Sequence, residues 1–110
     1  MASEQTLIHH QLRELAPKLA EMADEVVLGD VWRRGGLSKR DRSLVTVSAL
    51  VAQSRPELLE THLRFAFDNG VTQDELVEVI THMAIYAGFP SAISSMLTLK
   101  RILDEDAPEP

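Results

Sequence analysis

No cysteine occurs among the 110 residues, and aromatic side chains are scarce, with one Trp, one Tyr and three Phe. Without a thiol the chain can form no disulfide, no thiolate zinc or iron–sulfur site and no thiol-based catalytic centre. Positive charge is also short. Eleven Lys and Arg against 17 Asp and Glu leave a net charge of -6 and a pI near 5.1, which argues against nucleic-acid binding as the main activity. Long hydrophobic runs are missing too. The longest, Leu44 to Ala52, is interrupted by Thr46 and Ser48 and falls far short of the roughly 20 residues that span a bilayer, so no membrane partner is expected. The first ten residues lack the basic start and apolar stretch of a secretory signal, and the expected compartment is the cytoplasm.

What remains is 45% hydrophobic and 25% charged, the balance of a folded protein rather than a disordered one. The length suits one domain over residues 1–110. Apolar residues follow the helical period nearly everywhere and strand alternation is not sustained, which predicts an all-α fold, a compact single domain of about six helices. Helices are expected from about Glu4 to Glu14 and from Ala16 to Val27, the second with Pro17 in its first turn, or as one kinked helix. Gly29 and Gly35-Gly36 bracket a loop with Asp30-Val31-Trp32 as a short turn. Ser38 and Asp41 resemble a capping signal for a helix reaching about Gln53. Its Leu44, Val45, Val47, Leu50 and Val51 are apolar on more than one face, as a central helix requires.

Ser54, Pro56 and Glu57 supply an N-cap candidate, a first-turn proline and a capping-box acid for a helix that ends at Asn69-Gly70. Thr72 with Glu75 opens a helix that stops near Gly88. Phe89-Pro90-Ser91 starts the last helix, which runs to about Asp104, and the acidic tail Glu105 to Pro110 is expected to fray. Met22, Met83 and Met96 read as core fillers. Helices this apolar exceed what one small core can cover, so self-association is expected.

Several residues could carry chemistry. Arg33, Arg34, Lys39, Arg40 and Arg42 fall between Trp32 and Arg42 opposed only by Asp41, a local +4 in an acidic chain. This window is either a solvated loop or an anion site built on guanidinium forks. His62 shares a helix face with Leu58, Phe65, Ala66 and Asn69, which turns it inward as a hydrogen-bonded core histidine, or as an acid or base if a pocket reaches it. Glu75, Glu78, His82 and Tyr86 form a second stripe, in which Glu78 and His82 can pair at a spacing of four; an ordinary solvent or interface stripe is the alternative. Trp32 either anchors its loop or walls a pocket. His9 and His10, being adjacent, point to different sides and read as exposed. No close His and carboxylate cluster with metal-ligand spacing occurs, so no metal is expected.

The segments Leu28-Gly29-Asp30-Val31-Trp32, Leu37-Ser38-Lys39-Arg40-Asp41-Arg42-Ser43-Leu44-Val45-Thr46, His62-Leu63-Arg64-Phe65-Ala66, Asn69-Gly70-Val71-Thr72 and Tyr86-Ala87-Gly88-Phe89-Pro90 together resemble the carboxymuconolactone decarboxylase family in order and spacing, over about Val27 to Asp104. The resemblance implies an alkyl hydroperoxidase D-like helical fold assembled as a homohexamer (a trimer of dimers) or a homotrimer. One branch of the family uses a Cys-x-x-Cys pair seven and four residues before a histidine that His62 resembles. Arg55 and Leu58 stand there in this chain, and Ser43 stands where that branch carries a glutamate, so a thiol relay has no counterpart.

The other branch removes CO2 from γ-carboxymuconolactone (4-carboxymuconolactone) without a cofactor, giving 3-oxoadipate enol-lactone. Loss of CO2 leaves electrons that spread into the lactone as a dienolate, which needs positioned donors and a proton donor at carbon. On that reading the catalytic residues are His62 as general acid, Arg42 and His82. Arg40 joins Arg42 in holding the carboxylate, His82 or Tyr86 donates to the lactone oxygen, and Trp32 closes the pocket. The partner is a small anionic lactone or carboxylate. Two alternatives remain: a non-enzymatic oligomeric binding or scaffold protein, and another cofactor-free acid–base enzyme such as an isomerase of an unsaturated acid.

Overall fold

The structure, a computed structural model, describes residues 10–106. The expected helical stretch 4–9, His9 and the tail residues 107–110 lie outside the described residues. Residues 10–15 are helical, and Ala16, at φ -137° and ψ 71°, separates them from α1, Pro17–Met22. The two predicted N-terminal helices are thus distinct segments. After Met22 the chain widens into a π-helical turn, Ala23–Leu28, and Val31–Arg33 form a 3-10 turn. Four long helices follow: α2, Lys39–Gln53; α3, Pro56–Asp68; α4, Gln73–Ala87; and α5, Phe89–Asp106. No strand occurs among the described residues.

Capping chemistry explains most of these boundaries. The Ser38 hydroxyl accepts from the Asp41 amide at 3.0 Å. Thr72 and Glu75 form a complete capping box, with the Thr72 hydroxyl accepting from the Glu75 amide at 3.1 Å and the Glu75 carboxylate accepting from the Thr72 amide at 2.9 Å. Gly70 and Gly88 adopt φ of 93° and 104°, conformations open to glycine and costly for other residues.

Ser54 departs from expectation. It does not cap α3; it closes α2 in the left-handed region at φ 54° and ψ 53°, and Arg55 stands at the N-cap of the next helix without a side-chain capping bond. Reversing the chain within two residues needs a left-handed residue, and that conformation excludes the extended one an N-cap requires. The Ser54 hydroxyl instead meets that of Ser91 at 2.9 Å, and Ser91 donates to the Val51 carbonyl.

The four long helices close a ring in which α2 packs on α3 and α4, and α5 packs on both of those. Val47, Val51, Leu59, Leu63, Leu76, Ile80, Leu99 and Ile102 fill its centre. The central position expected for α2 holds, since it touches every other long helix and the 3-10 turn. Its polar interruptions are satisfied locally: Thr46 donates to the Arg42 carbonyl and Ser48 to that of Leu44, each at 2.8 Å. Met83 and Met96 pack against the core as expected, whereas Met22 is half exposed because α1 does not reach it.

The last helix also runs past its expected end. Glu105 and Asp106 remain helical because Arg64 of α3 pairs with Glu105 at 2.7 Å and Asp106 at 3.6 Å, and Arg101 bridges Glu60 and Glu105 at 2.7 and 3.1 Å. The Arg101 guanidinium holds the Glu60 carboxyl below its ordinary pKa. Among the described residues no helix is long and apolar enough to cross a membrane.

Candidate functional site

The face of α3 predicted to turn inward at His62 does so against a pocket rather than solid core. Leu58, His62, Phe65 and Asn69 line one wall of a cavity of about 350 Å³, with Thr61 beside them. Leu12 and the π-turn residues Ala23, Val27 and Leu28 form the opposite wall, and Trp32 and Arg33 of the 3-10 turn and Lys39 at the start of α2 complete it. The π-turn ends in close quarters. A Cβ on Gly29 would stand 2.7 Å from the Asp24 carbonyl oxygen and 2.9 Å from that of Glu25, so only glycine fits there without a shift. The Arg33 Nε donates to the Leu28 carbonyl at 3.3 Å and ties the two turns together.

His62 stands beside two aromatic rings. Its centroid lies 6.4 Å from that of Trp32, nearly parallel at 24°, and 5.5 Å from that of Phe65. Burial lowers the imidazole pKa below its ordinary value, favouring the neutral ring. Its Nδ1 is sealed from solvent and has no hydrogen-bond partner among the described residues. An unpaired lone pair there costs less than an unpaired N–H, so the proton of the neutral ring is assigned to Nε2, which leaves that edge to a ligand.

Asn69 is positioned by the buried Ser43, whose hydroxyl accepts from the Asn69 amide nitrogen at 2.9 Å, leaving the Asn69 carbonyl oxygen uncommitted by that bond. Among the described residues no carboxylate lines the cavity, while two cations do. Site chemistry therefore favours an anion, held against apolar walls with one titratable ring in reach.

The structure brings His62 and Trp32 together here and sends the other expected residues elsewhere. Arg42 directs its guanidinium to the Arg34 carbonyl at 3.1 Å, with its Nε buried and without a partner among the described residues, and does not line the pocket. Arg40 pairs with Glu75 and, at 3.4 Å, with Asp41, tying α2 to α4. His82 lies on Tyr86 at 4.9 Å on an exposed side of α4, with no hydrogen bond to Glu78, and neither ring lines the pocket. His10 is exposed. The cations that do line it, Arg33 and Lys39, belong to the +4 window but were not singled out within it. Arg33 follows Trp32 directly, and that adjacency was the available signal. Among the described residues no cluster of three or more His, Asp or Glu could hold a metal ion.

Comparison with known proteins draws on most of this framework. Over 68 residues the chain is 50% identical to the 4-carboxymuconolactone decarboxylase of Acinetobacter baylyi, covering 62% of this chain and 51% of that protein. Over 85 residues it is 36% identical to nitrosuccinic acid decarboxylase of Metarhizium robertsii, covering 77% and 59%. An uncharacterized 15.0 kDa protein of Paracoccus denitrificans is 27% identical over 101 residues, covering 89% and 75%. The chain thus spans little more than half the length of the first two relatives. Residues 17–101, from α1 to the last turns of α5 and including all of the pocket but Leu12, match the sequence model of one family, and the chain belongs to it: the carboxymuconolactone decarboxylase family.

Proposed function

We propose that this chain is a cofactor-independent carboxy-lyase for a small dianionic substrate, γ-carboxymuconolactone, which it converts to 3-oxoadipate enol-lactone. The observation that carries this reading is a partly desolvated histidine stacked on Trp32 and beside Phe65, in a pocket whose described lining has two cations and no carboxylate. Arg33 and Lys39 hold the substrate's carboxylates at the rim. The carbon–carbon bond to the departing carboxylate breaks with its electron pair left in the unsaturated lactone as a dienolate, and the apolar walls formed by Val27, Leu28 and Leu58 keep water from quenching it. One proton completes the balance, converting the dianion to CO2 and a monoanionic enol-lactone.

His62 delivers that proton from Nε2. In the free protein burial favours the neutral ring, and the negative charge of a bound dianion raises its pKa far enough to offset the cost of a second, unpaired N–H at Nδ1, so that binding loads the acid. The second N–H of the Asn69 amide, or a group from the stripe of His82 and Tyr86 brought in by another copy, supplies a donor to the lactone oxygen.

The similarity to a nitrosuccinic acid decarboxylase favours a second substrate of the same logic, in which the electron pair left by CO2 passes to a nitro group as a nitronate. The test is a direct assay on enzymatically generated γ-carboxymuconolactone beside nitrosuccinate, following product formation. Turnover of either by the wild-type chain supports the reading. A folded His62→Ala variant that decarboxylates both at the wild-type rate would sink it.

A further inference from the structure

Ser43, Ser95 and Thr61 are the buried polar side chains among the described residues. Two of them have partners: Ser43 accepts from the Asn69 amide nitrogen at 2.9 Å, and Ser95 donates to the Ser91 carbonyl at 2.7 Å. Thr61, at 6% exposure, makes no hydrogen bond among the described residues. A hydroxyl inside a helix ordinarily donates to the carbonyl four residues back, as those of Thr46, Ser48, Ser95 and Thr98 do at 2.8, 2.8, 2.7 and 3.1 Å. Thr61 does not take that route, although α3 runs unbroken through Glu57. Unlike the His62 Nδ1, its oxygen is not sealed from solvent, and the residue lines the His62 pocket, so the hydroxyl opens on that cavity.

A buried hydroxyl without a partner costs free energy that a valine methyl of the same shape would not. Such an exception calls for a partner from outside the chain, and the surroundings narrow its kind. Leu58 and Phe65, three residues before and four after, share the face of α3 with Thr61, and Val27 and Leu28 of the opposite wall are aliphatic. The pocket cation Lys39 belongs to the other end. Asn69 stands eight residues beyond Thr61, about 12 Å along the helix axis, and it reaches Ser43 of α2, one turn after Lys39. A ligand whose carboxylate meets Lys39 and that extends along α3 therefore brings an uncharged part to Thr61.

We propose that Thr61 is a specificity-determining residue whose hydroxyl donates to an uncharged oxygen of the bound substrate. The pocket thereby selects small carboxylates that carry a carbonyl, lactone or nitro oxygen over saturated dicarboxylates of the same length; this rests on the reading of the pocket as the reaction site. In the free protein the hydroxyl is open to water. A ligand that displaces that water and brings no acceptor leaves the oxygen unpaired among apolar side chains, which is how a polar group in a pocket discriminates. Thr61 also precedes His62 directly, so a substrate oxygen held at Thr61 draws the carbons conjugated to it toward the ring that delivers the proton.

The intact chain is titrated with pimelate and with 4-oxopimelate, seven-carbon dicarboxylates that differ by one ketone oxygen. Calorimetry gives the affinities, and emission of Trp32, the single tryptophan, which stacks on His62, places each ligand in the pocket. Wild type is expected to bind 4-oxopimelate about fivefold or more tighter than pimelate. Thr61→Val is expected to bind the two within about twofold of each other, through lost affinity for the ketone alone, and to melt no lower than wild type because no bond within the protein is removed. Thr61→Ser, which keeps the hydroxyl, restores the preference.

A wild-type chain that does not distinguish the two ligands overturns the proposal, as does a Thr61→Val protein that keeps the preference. A Thr61→Val protein that melts several degrees lower overturns it as well, since the hydroxyl would then be serving the fold. A chain that shows the preference, loses it in Thr61→Val and decarboxylates nothing leaves this inference standing and removes the reaction. Decarboxylation at equal rates by wild type and Thr61→Val, without a preference between the two ligands, removes this inference alone.

Discussion

Replacing Arg33 and Lys39 by methionine separates the pocket cations from the rest of the basic window. Both side chains line the cavity and both residues are exposed. A charge-assisted hydrogen bond contributes about 1.5–3 kcal/mol when well shielded, and solvent screening at an exposed rim brings each contact to the lower end of that range or below. Taking about 1.4 kcal/mol each gives about a tenfold loss in kcat/KM for either single variant and about a hundredfold for the double, carried mainly by KM because both charges hold the substrate before and during reaction.

The same reasoning assigns Arg40→Met a different outcome: with its guanidinium spent on Glu75, its loss lowers the melting temperature and changes KM by less than about twofold. Initial rates of enol-lactone formation at low and at 1 M salt check all of this. Raising the salt contracts the screening length to about 3 Å and brings wild type toward the double variant. An Arg33→Met/Lys39→Met protein with wild-type kcat/KM, or an Arg42→Met protein that loses more than the double variant, refutes the assignment of the anion to this rim.

Other measurements bear on the same structure. Because burial lowers the His62 pKa in the folded chain, the unfolded chain binds the extra proton first, so this residue's contribution to stability is fully present above its unfolded pKa of about 6.5 and is lost as pH falls toward the folded value. Melting temperatures of wild type and His62→Gln between pH 7 and pH 5 should converge as that slope disappears in the variant. In turnover, kcat/KM declines with rising pH from the lowered free-protein pKa while kcat persists to higher pH, since the bound dianion restores the proton; superimposable profiles would contradict loading on binding. Leu63→Ala, at a fully buried core position, costs about 2–5 kcal/mol in chemical denaturation. Gly29→Ala forces its Cβ onto the Asp24 and Glu25 carbonyls, with a loss of about 1–3 kcal/mol and a change in Trp32 emission.

Much of the fold was legible because its signals are local. Ser38 and the Thr72–Glu75 box fixed two helix starts, and the spacing of Leu58, His62, Phe65 and Asn69 placed one face of α3 against what became the pocket. Ser54 was misread because a serine before a proline serves equally as an N-cap or as a left-handed link, and only the path of α2 decides. The last helix outran its expected end through Arg64 and Arg101, partners some forty residues away in sequence or a turn along the same helix. The basic window offered an anion site or a solvated loop, but not which of its cations would line the pocket. That choice depends on the turn at Val31–Arg33 and on competitors such as Glu75 and the Arg34 carbonyl, neither of which charge counting can see.

The π-helical turn at Ala23–Leu28 sets a rule about chain length rather than composition. Its hydrogen bonds skip one residue more than those of an α-helix, so deleting any one residue within it would let the backbone relax into regular α-helix. Each α-helical residue carries about 100° of rotation and each π-helical residue less, so five of the first turn the chain about as far as six of the second, and the same deletion would leave everything before it, Leu19 and Met22 included, close to its present orientation relative to the segments that follow. A single-residue gap across these six positions should therefore be tolerated far more readily than the same gap inside α2 or α3.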